Sequence, residues 1–129
     1  MNQPLLLIVD DEAGVRQSLQ MVFNKNFRVL EAKSADETLR KVADEKPDLV
    51  LLDIVMPGED GLAVLKQIKS IQPECQIIML TGLNTARTAF TARATGAFDY
   101  VTKPFDVEEL RMRVDRALEK IQLSRELER

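Results

Sequence analysis

With 129 residues, of which 18 are basic and 21 acidic, the chain has the length of one domain and a formal net charge of −3, which argues against direct nucleic-acid binding. No apolar run approaches the ~18–20 residues that cross a bilayer, and the N-terminus has no signal-peptide pattern, so we expect a cytoplasmic protein without a membrane span. The single Cys75 cannot form an internal disulfide, and the absence of His excludes zinc sites built from Cys and His.

Five short apolar runs alternate with segments of helical period along the chain. Each run is too short for a helix and rich in Leu, Ile or Val, as is typical of strands buried on both faces. The predicted strands are Leu5–Val9, Phe27–Glu31, Leu49–Leu52, Ile77–Leu80 and Phe98–Val101. Strict alternation with helices predicts an α/β fold: a doubly wound, five-stranded parallel sheet with five helices.

The first four helical segments carry apolar residues at helical spacing. Ser34 followed by Glu37 predicts a capping box at the start of the second, and the fourth runs from near Asn84 to Gly96, a suitable C-cap residue. The apolar positions are Val15, Leu19, Val22 and Phe23 in the first, Ala35, Leu39 and Val42 in the second, Leu62, Val64, Leu65, Ile68 and Ile71 in the third, and Ala86, Ala89 and Phe90 in the fourth.

Acidic, hydroxyl and ammonium side chains follow four of the five predicted strands, at the edge where such sheets bind ligands. They are Asp10, Asp11 and Glu12 after the first strand, Asp53 after the third, Thr81 after the fourth and Lys103 after the fifth. Clustered carboxylates are costly without a cation, and oxygen ligands suit Mg²⁺. An Asp carboxylate is a nucleophile for phosphoryl groups, whose charge Lys103 and Thr81 can stabilise.

Each of these motifs alone has a plainer interpretation, because short motifs match by chance. The Asp10-Asp11 pair is typical of a helix N-cap, Thr81-Gly82 of a turn, and Lys103-Pro104 of a loop with a solvated lysine. Their joint occurrence at four strand ends favours a phosphoryl-transfer site over these separate structural roles.

Four motifs together resemble the receiver family of two-component signalling, in order and spacing, to about Leu118. They are Ile8-Val9-Asp10-Asp11-Glu12, Asp53 with Met56-Pro57 and Asp60-Gly61, Leu80-Thr81-Gly82, and Lys103-Pro104-Phe105. The resemblance implies a flavodoxin-like fold and a receiver domain over residues 1–120. Residues 121–129 would be a helical extension or the start of a linker.

By this resemblance, Asp53 accepts a phosphoryl group from the phosphohistidine of a sensor histidine kinase or phosphotransfer protein. Asp11 and Asp53 would bind Mg²⁺ directly, Asp10 mainly through water, and Val55 through its backbone carbonyl. Lys103 would pair with Asp53 before transfer and with the phosphoryl group afterwards. The resemblance also implies a cis peptide bond between Lys103 and Pro104, and a loop shaped by Pro57, Gly58 and Gly61.

Thr81 and Tyr100 resemble the switch pair of the family, in which the hydroxyl turns toward the phosphoryl group and the aromatic ring moves inward. The alternative for Tyr100 is a plain aromatic at the edge of the core. The fourth helix, fifth strand and fifth helix would then read out the switch through partner binding or a homodimer.

The fifth helix is predicted to start at a cap formed by Asp106 with Glu109 and to continue toward Arg129, since no Pro or Gly interrupts it. Its inward positions are Val107, Leu110, Val114, Ala117, Leu118 and Ile121. A second apolar set, Met112, Leu123 and Leu127, is either scattered surface residues or a dimer or coiled-coil contact leading to another domain. This ending resembles receivers attached to enhancer-binding transcription activators, and also those of hybrid kinases and stand-alone adaptors.

Three other functions are alternatives to a receiver domain. A phosphatase of the haloacid-dehalogenase type would carry a second Asp two residues after Asp53, where this chain has Val55, and a flavodoxin-like cofactor module would carry a Gly-rich phosphate loop where Asp10-Asp11-Glu12 stands. A degenerate receiver scaffold would lack site residues that are present here. We therefore expect a phosphorylation switch that catalyses only its own phosphorylation and dephosphorylation and controls an output such as transcription.

Overall fold

The computed structural model describes residues 3–53, 55–56, 59–82 and 86–127. The strands of its main sheet are β1 (Leu5–Val9), β2 (Arg28–Ala32), β3 (Leu49–Asp53), β4 (Gln76–Thr81) and β5 (Asp99–Thr102). The helices are α1 (Ala13–Phe23), α2 (Ala35–Glu45), α3 (Gly61–Ile71), α4 (Ala86–Thr95) and α5 (Val107–Leu127). Before α3, Val55–Met56 and Glu59–Asp60 form a short antiparallel ladder.

The five main strands form one parallel sheet in the order β2-β1-β3-β4-β5. This order confirms the predicted doubly wound fold, and its direction reverses between β1 and β3, the place where ligands bind in such sheets. Val9 pairs with Leu52, so the next residues, Asp10 and Asp53, lie side by side at the carboxyl edge of the sheet. The topology alone therefore brings two of the predicted site residues together.

Helices cover both faces of the sheet, which explains why β1 and β3 are apolar up to their carboxyl ends. Alternate strand residues such as Leu6 and Ile8 pack with α1 and α5, whereas Leu7 and Val9 pack with α2, α3 and α4. Every residue of β1 and β3 is buried, and each buried Leu, Ile or Val side chain contributes about 1.5–3 kcal/mol. In the described part of the chain, no helix is long and apolar enough to cross a membrane.

Two predicted strands begin one residue too early. Phe27 and Phe98 precede β2 and β5 instead of opening them. Phe27 is buried all the same, and its ring lies edge-on to that of Phe23 with the centroids 5.9 Å apart. A buried aromatic residue just before a strand extends the apolar run in the sequence. The predicted start of the strand therefore lies one residue too early.

The buried faces of α3, α4 and α5 also differ from the prediction in part. Ile71 is 46% exposed, since Val64, Leu65 and Ile68 supply the buried face of α3. Phe90 of α4 is 74% exposed, whereas Ala92 is buried. Other departures are Ala86 of α4 and Val107 of α5, both exposed. Helix α4 therefore packs through small side chains, for which periodicity is a weak guide.

Among the described residues, side-chain caps open α2, α3 and α5. The hydroxyl of Ser34 accepts the amide of Glu37 at 3.2 Å, as predicted, while the Glu37 carboxylate lies 3.4 Å from Lys41 Nζ. Asp106 Oδ1 accepts the amides of Glu108 and Glu109 at the start of α5. The N-cap of α3 is Asp60. Such caps satisfy amides that the helix itself leaves without partners.

The far end of α5 is attached to the opposite edge of the sheet. Ile121 is buried, and Arg125 forms an ion pair with Asp48 in the turn before β3. Asp48 Oδ2 also accepts the amide of Leu5, the first residue of β1, at 2.8 Å. The last turns of α5 are therefore held against the sheet.

We expect Gly96→Ala to destabilise the protein by about 1–3 kcal/mol, the range for a strained backbone. Gly96 ends α4 with φ +124°, and an added Cβ would lie 3.3 Å from Lys69 Cγ. The measurement is the free energy of unfolding in urea. Gly14→Ala is the matched control, because a Cβ at Gly14 meets no atom within 4 Å. A loss at Gly96 no greater than at Gly14 would contradict this explanation.

Candidate functional site

Lys103 connects the two buried carboxylates at the carboxyl edge of the sheet. Its Nζ lies 2.7 Å from Asp10 Oδ2 and 3.2 Å from Asp53 Oδ2. Burial alone would lower the pKa of Lys103, but its hydrogen bonds to Asp10 and Asp53 and their charges outweigh this and raise the pKa above its ordinary value. The lysine is therefore a fixed positive charge between two acids.

Asp10 is held at each of its polar atoms. Its amide donates to the carbonyl of Ala32 at 3.1 Å, and its carbonyl accepts Arg16 Nη1 at 2.7 Å. Of its carboxylate oxygens, Oδ1 accepts the amide of Glu12 at 2.9 Å and Oδ2 accepts Lys103. The Asp10 carboxylate is thus oriented before any ligand binds.

Asp10, Asp11 and Glu12 form an acidic cluster whose carboxylate oxygens lie within 4.8 Å of one another. Asp10 is buried, whereas Asp11 and Glu12 are exposed and open to solvent. These oxygen ligands fit a hard cation such as Mg²⁺. Glu12 joins the predicted ligands Asp10 and Asp11 in this cluster, although no metal role was predicted for it.

The other predicted site residues lie on the neighbouring strand ends. Thr81 is fully buried at the end of β4, and its carbonyl accepts the amide of Lys103 at 2.6 Å. Tyr100 pairs in register with Met79, so its side chain shares a sheet face with Thr81 two residues further along. Tyr100 is half-buried on the side of α2, α3 and α4, and this burial raises the pKa of its hydroxyl.

One predicted backbone feature of the site is confirmed, whereas Gly61, which was predicted to shape the loop, is the first residue of α3. The Lys103-Pro104 peptide bond is cis. The backbone of Val55 follows β3 closely, in the short ladder before α3. Pro57 and Gly58, which were predicted to shape the loop, and Asn84, near which α4 was predicted to begin, lie outside the described residues.

A shallow groove opens beside the acidic cluster. Its cavity volume is about 430 Å³, and its lining combines the start of α1 with the segment between β5 and α5. The lining residues are Glu12, Gly14, Val15, Ser18, Lys103, Pro104 and Phe105. Lys103 therefore faces both the two buried acids and a surface that a macromolecule can reach.

Asp99, the residue before Tyr100, connects α4, β5 and α5. Its Oδ1 lies 2.9 Å from Arg93 Nη2 of α4 and 2.7 Å from Arg113 Nη1 of α5, and it accepts the Tyr100 amide. The hydrogen bond to Asp99 raises the pKa of Arg113. The buried carboxylate thus joins α4, β5 and α5 at the residue next to Tyr100.

Comparisons with known proteins agree with this geometry. A family model described as the response regulator receiver domain matches residues 6–115. The chain is 40% identical over 119 residues to the DNA-binding transcriptional regulator NtrC of Azospirillum brasilense, covering 92% of this chain and 25% of that protein. It is 38% identical over 114 residues to the Sporulation initiation phosphotransferase F of Bacillus subtilis (strain 168), covering 88% and 92%.

One solved structure extends the comparison to three dimensions. NtrX from Brucella abortus superposes with a TM-score of 0.90 at 36% identity, covering 98% of this chain and 29% of that one. The chain thus spans about a quarter of the length of NtrC but nearly all of the phosphotransferase.

Proposed function

The chain belongs to the response regulator receiver domain family of two-component signalling, and from this membership we propose that Asp53 accepts a phosphoryl group from a phosphohistidine. The donor is a sensor histidine kinase or a phosphotransfer protein. The observation that carries the proposal is the Lys103 ammonium group, which lies within 3.2 Å of Asp53 Oδ2 and 2.7 Å of Asp10 Oδ2. This arrangement supports a nucleophilic carboxylate with a cation ready for the incoming charge.

In the proposed reaction, an oxygen of Asp53 attacks the phosphorus atom while the bond from phosphorus to the imidazole nitrogen of the partner breaks. The product is an acyl phosphate on Asp53, and the partner retains its imidazole. Lys103 stabilises the negative charge on the phosphoryl oxygens, and the Thr81 hydroxyl donates to them after transfer. The chain then acts only on its own phosphoryl group.

We propose a Mg²⁺ site held by Asp11 and Asp53 directly, by Asp10 mainly through water and by the carbonyl of Val55, and the cluster of Asp10, Asp11 and Glu12 supports a cation site here. When bound, Mg²⁺ supplies positive charge that neutralises the phosphoryl oxygens. Both Asp10 carboxylate oxygens already accept hydrogen bonds, which is consistent with a role through water.

The proposed switch consists of Thr81 and Tyr100, read out by α4, β5 and α5. New hydrogen bonds at the phosphoryl group draw the Thr81 hydroxyl toward it, and the Tyr100 ring moves inward behind it. The bonds from Asp99 to Arg93 and Arg113 support a readout in which the three elements respond together. The exposed Phe90 side chain supports a homodimer through this surface.

We propose that residues 1–120 form the receiver domain and that residues 121–129 form a C-terminal helix extension or the start of a linker. Because the chain matches a quarter of a DNA-binding transcriptional regulator, the proposed output is control of transcription. The net charge of −3 gives no support for direct nucleic-acid binding by this segment.

The experiment that tests the proposal is intact mass spectrometry after incubation with acetyl phosphate, with Mg²⁺ or with a chelator. We expect a gain of one phosphoryl mass with Mg²⁺ and none with the chelator. No gain in either condition, from acetyl phosphate or from phosphoramidate, would contradict autocatalytic transfer. Sustained hydrolysis of a small phosphate ester would instead indicate a phosphatase.

The groove between α1 and the β5–α5 segment is the proposed docking surface for the phosphohistidine partner. Gly14 lines this groove. A Cβ added at Gly14 would have no atom within 4 Å, so packing alone does not require a glycine there. We expect Gly14→Ala to raise the free energy of unfolding by about 0.5–1 kcal/mol, since Ala is favoured over Gly in a helix.

The larger Gly14→Leu change is expected to slow phosphoryl transfer from a kinase about tenfold relative to uptake from acetyl phosphate, equivalent to about 1.4 kcal/mol. The measurement compares both rates for a phosphorylated histidine kinase that transfers to the wild-type chain. Met21→Leu, at an exposed position later in α1, is the control. Equal slowing with both donors would place the effect of Gly14 on the chemistry and not on docking.

A further inference from the structure

Arg16 reaches the acidic edge from the first turns of α1. Its amide bonds the carbonyl of Glu12 at 3.2 Å, so it lies one helical turn beyond the acidic cluster. Its Nη1 donates to the carbonyl of Asp10 at 2.7 Å, and its Nε lies 3.0 Å from Glu31 Oε1 on β2. The Arg16 side chain is only 16% exposed, so water competes weakly for these bonds.

Arg16 bonds to Asp10, the residue that directly follows β1. The Asp10 amide still completes the ladder to Ala32 of β2, but its carbonyl bonds Arg16. Because a peptide unit is planar, fixing the Asp10 carbonyl also fixes the Asp11 amide and the Cα from which the Asp11 carboxylate projects. Arg16 therefore controls the direction of the chain that carries both acids.

Glu31 holds the guanidinium group in place. The Glu31 carboxylate accepts a hydrogen bond from Arg16 Nε. Because the guanidinium group is planar, this bond also fixes the direction in which Nη1 points toward the Asp10 carbonyl. The backbone of Glu31 is fixed in turn, because its carbonyl accepts Lys41 Nζ of α2.

We infer that Arg16 is a positioning residue of the acidic site: it fixes the peptide between Asp10 and Asp11 and thereby sets how tightly their carboxylates hold Mg²⁺. This inference rests on the proposed function, which places Mg²⁺ at these acids. Loss of a group that orients metal ligands without touching the metal typically weakens metal affinity roughly 10- to 100-fold. We expect an effect of this size on Mg²⁺ affinity when Arg16 is replaced.

The test compares the Mg²⁺ dissociation constants of wild type, Arg16→Gln, Arg16→Lys and Glu31→Gln in the full chain without phosphodonor. Each constant comes from the rise of the unfolding temperature with Mg²⁺ concentration. We expect Arg16→Gln to weaken binding roughly 10- to 100-fold, and the other two changes to weaken it less. Arg28→Gln is the matched control, since Arg28 also pairs with a glutamate, Glu45, but at 3.9 Å and 62% exposed.

The outcomes separate the inference from the proposed function. If wild type binds Mg²⁺ and all three site variants bind it equally well, with only the metal-free unfolding temperature lowered, Arg16 is merely structural and the inference is overturned. Weakening by Arg28→Gln to the same extent also overturns it. Wild-type protein whose unfolding temperature does not respond to Mg²⁺ overturns the proposed metal site, and the inference with it. Arg16→Lys and Glu31→Gln keep the test valid should Arg16→Gln fail to fold.

Discussion

Asp53→Asn is expected to take up no phosphoryl group from acetyl phosphate in the presence of Mg²⁺, under conditions in which wild type gains one. The amide has nearly the shape of the carboxylate but is not a nucleophile for phosphorus. Asp53 is 7% exposed and lies 3.2 Å from Lys103 Nζ, so a carboxamide fits the same space. Intact mass spectrometry measures the loss, and circular dichroism verifies that the variant is folded.

The control for this change is Asp44→Asn, which removes an exposed carboxylate from α2. It should take up the phosphoryl group as wild type does. If Asp53→Asn gained the same mass as wild type, the acceptor would be another residue, with Asp10 and Asp11 the next to test. The contact between Lys103 and Asp53 would then be only a structural ion pair.

Lys103→Met is expected to reduce both stability and phosphorylation. The change leaves Asp10 and Asp53, both nearly buried, facing each other without the intervening cation. Removing one partner from a buried ion pair costs about 3–5 kcal/mol of unfolding free energy. Loss of one group that stabilises transition-state charge slows the reaction by about 100-fold or more. Urea unfolding at neutral pH and the rate of mass gain measure the two effects.

The pH dependence of this difference identifies charge as its cause. The pKa of Lys103 is raised in the folded protein, so its contribution to stability is fully present below the ordinary lysine pKa and is lost as pH rises through the folded value. The stability difference between wild type and Lys103→Met should therefore shrink at alkaline pH. Lys66→Met, at an exposed position of α3, should show no comparable difference. A difference that persisted unchanged at alkaline pH would indicate lost packing instead.

The sequence predicted the sheet because both faces of the strands are covered. Runs such as Leu5–Val9 and Leu49–Asp53 are apolar at every position up to their ends, a pattern that is typical of a buried parallel strand at that length. Polar residues at those ends then indicated the candidate functional edge. The proximity of Asp10, Asp53 and Lys103 followed from the topology, because parallel strands end at one edge.

Contacts that depend on the path of side chains were not predicted. Arg16 is six residues from Asp10 and fifteen from Glu31, and its helical position alone does not show which carbonyl it reaches. Likewise, Asp99 reads as part of an ordinary strand start, although it bonds arginines from two helices. The exposure of Phe90 was missed because α4 contains small residues on several sides, so its apolar spacing did not define one buried face.

Helix α5 spans the sheet from the carboxyl edge, near Lys103, to the amino edge, near Asp48. It begins four residues after Lys103, and its 21 residues extend roughly 30 Å at 1.5 Å per residue. Arg125 fastens its far end to Asp48, so the helix is supported at both ends. A tilt of about 5° at the Lys103 end would move the other end by roughly 2.6 Å, given that length. Because a hydrogen-bonded helix is stiff, a small displacement beside Lys103 would be enlarged at the opposite edge of the sheet, where buried Ile121 and the ion pair between Arg125 and Asp48 hold the helix.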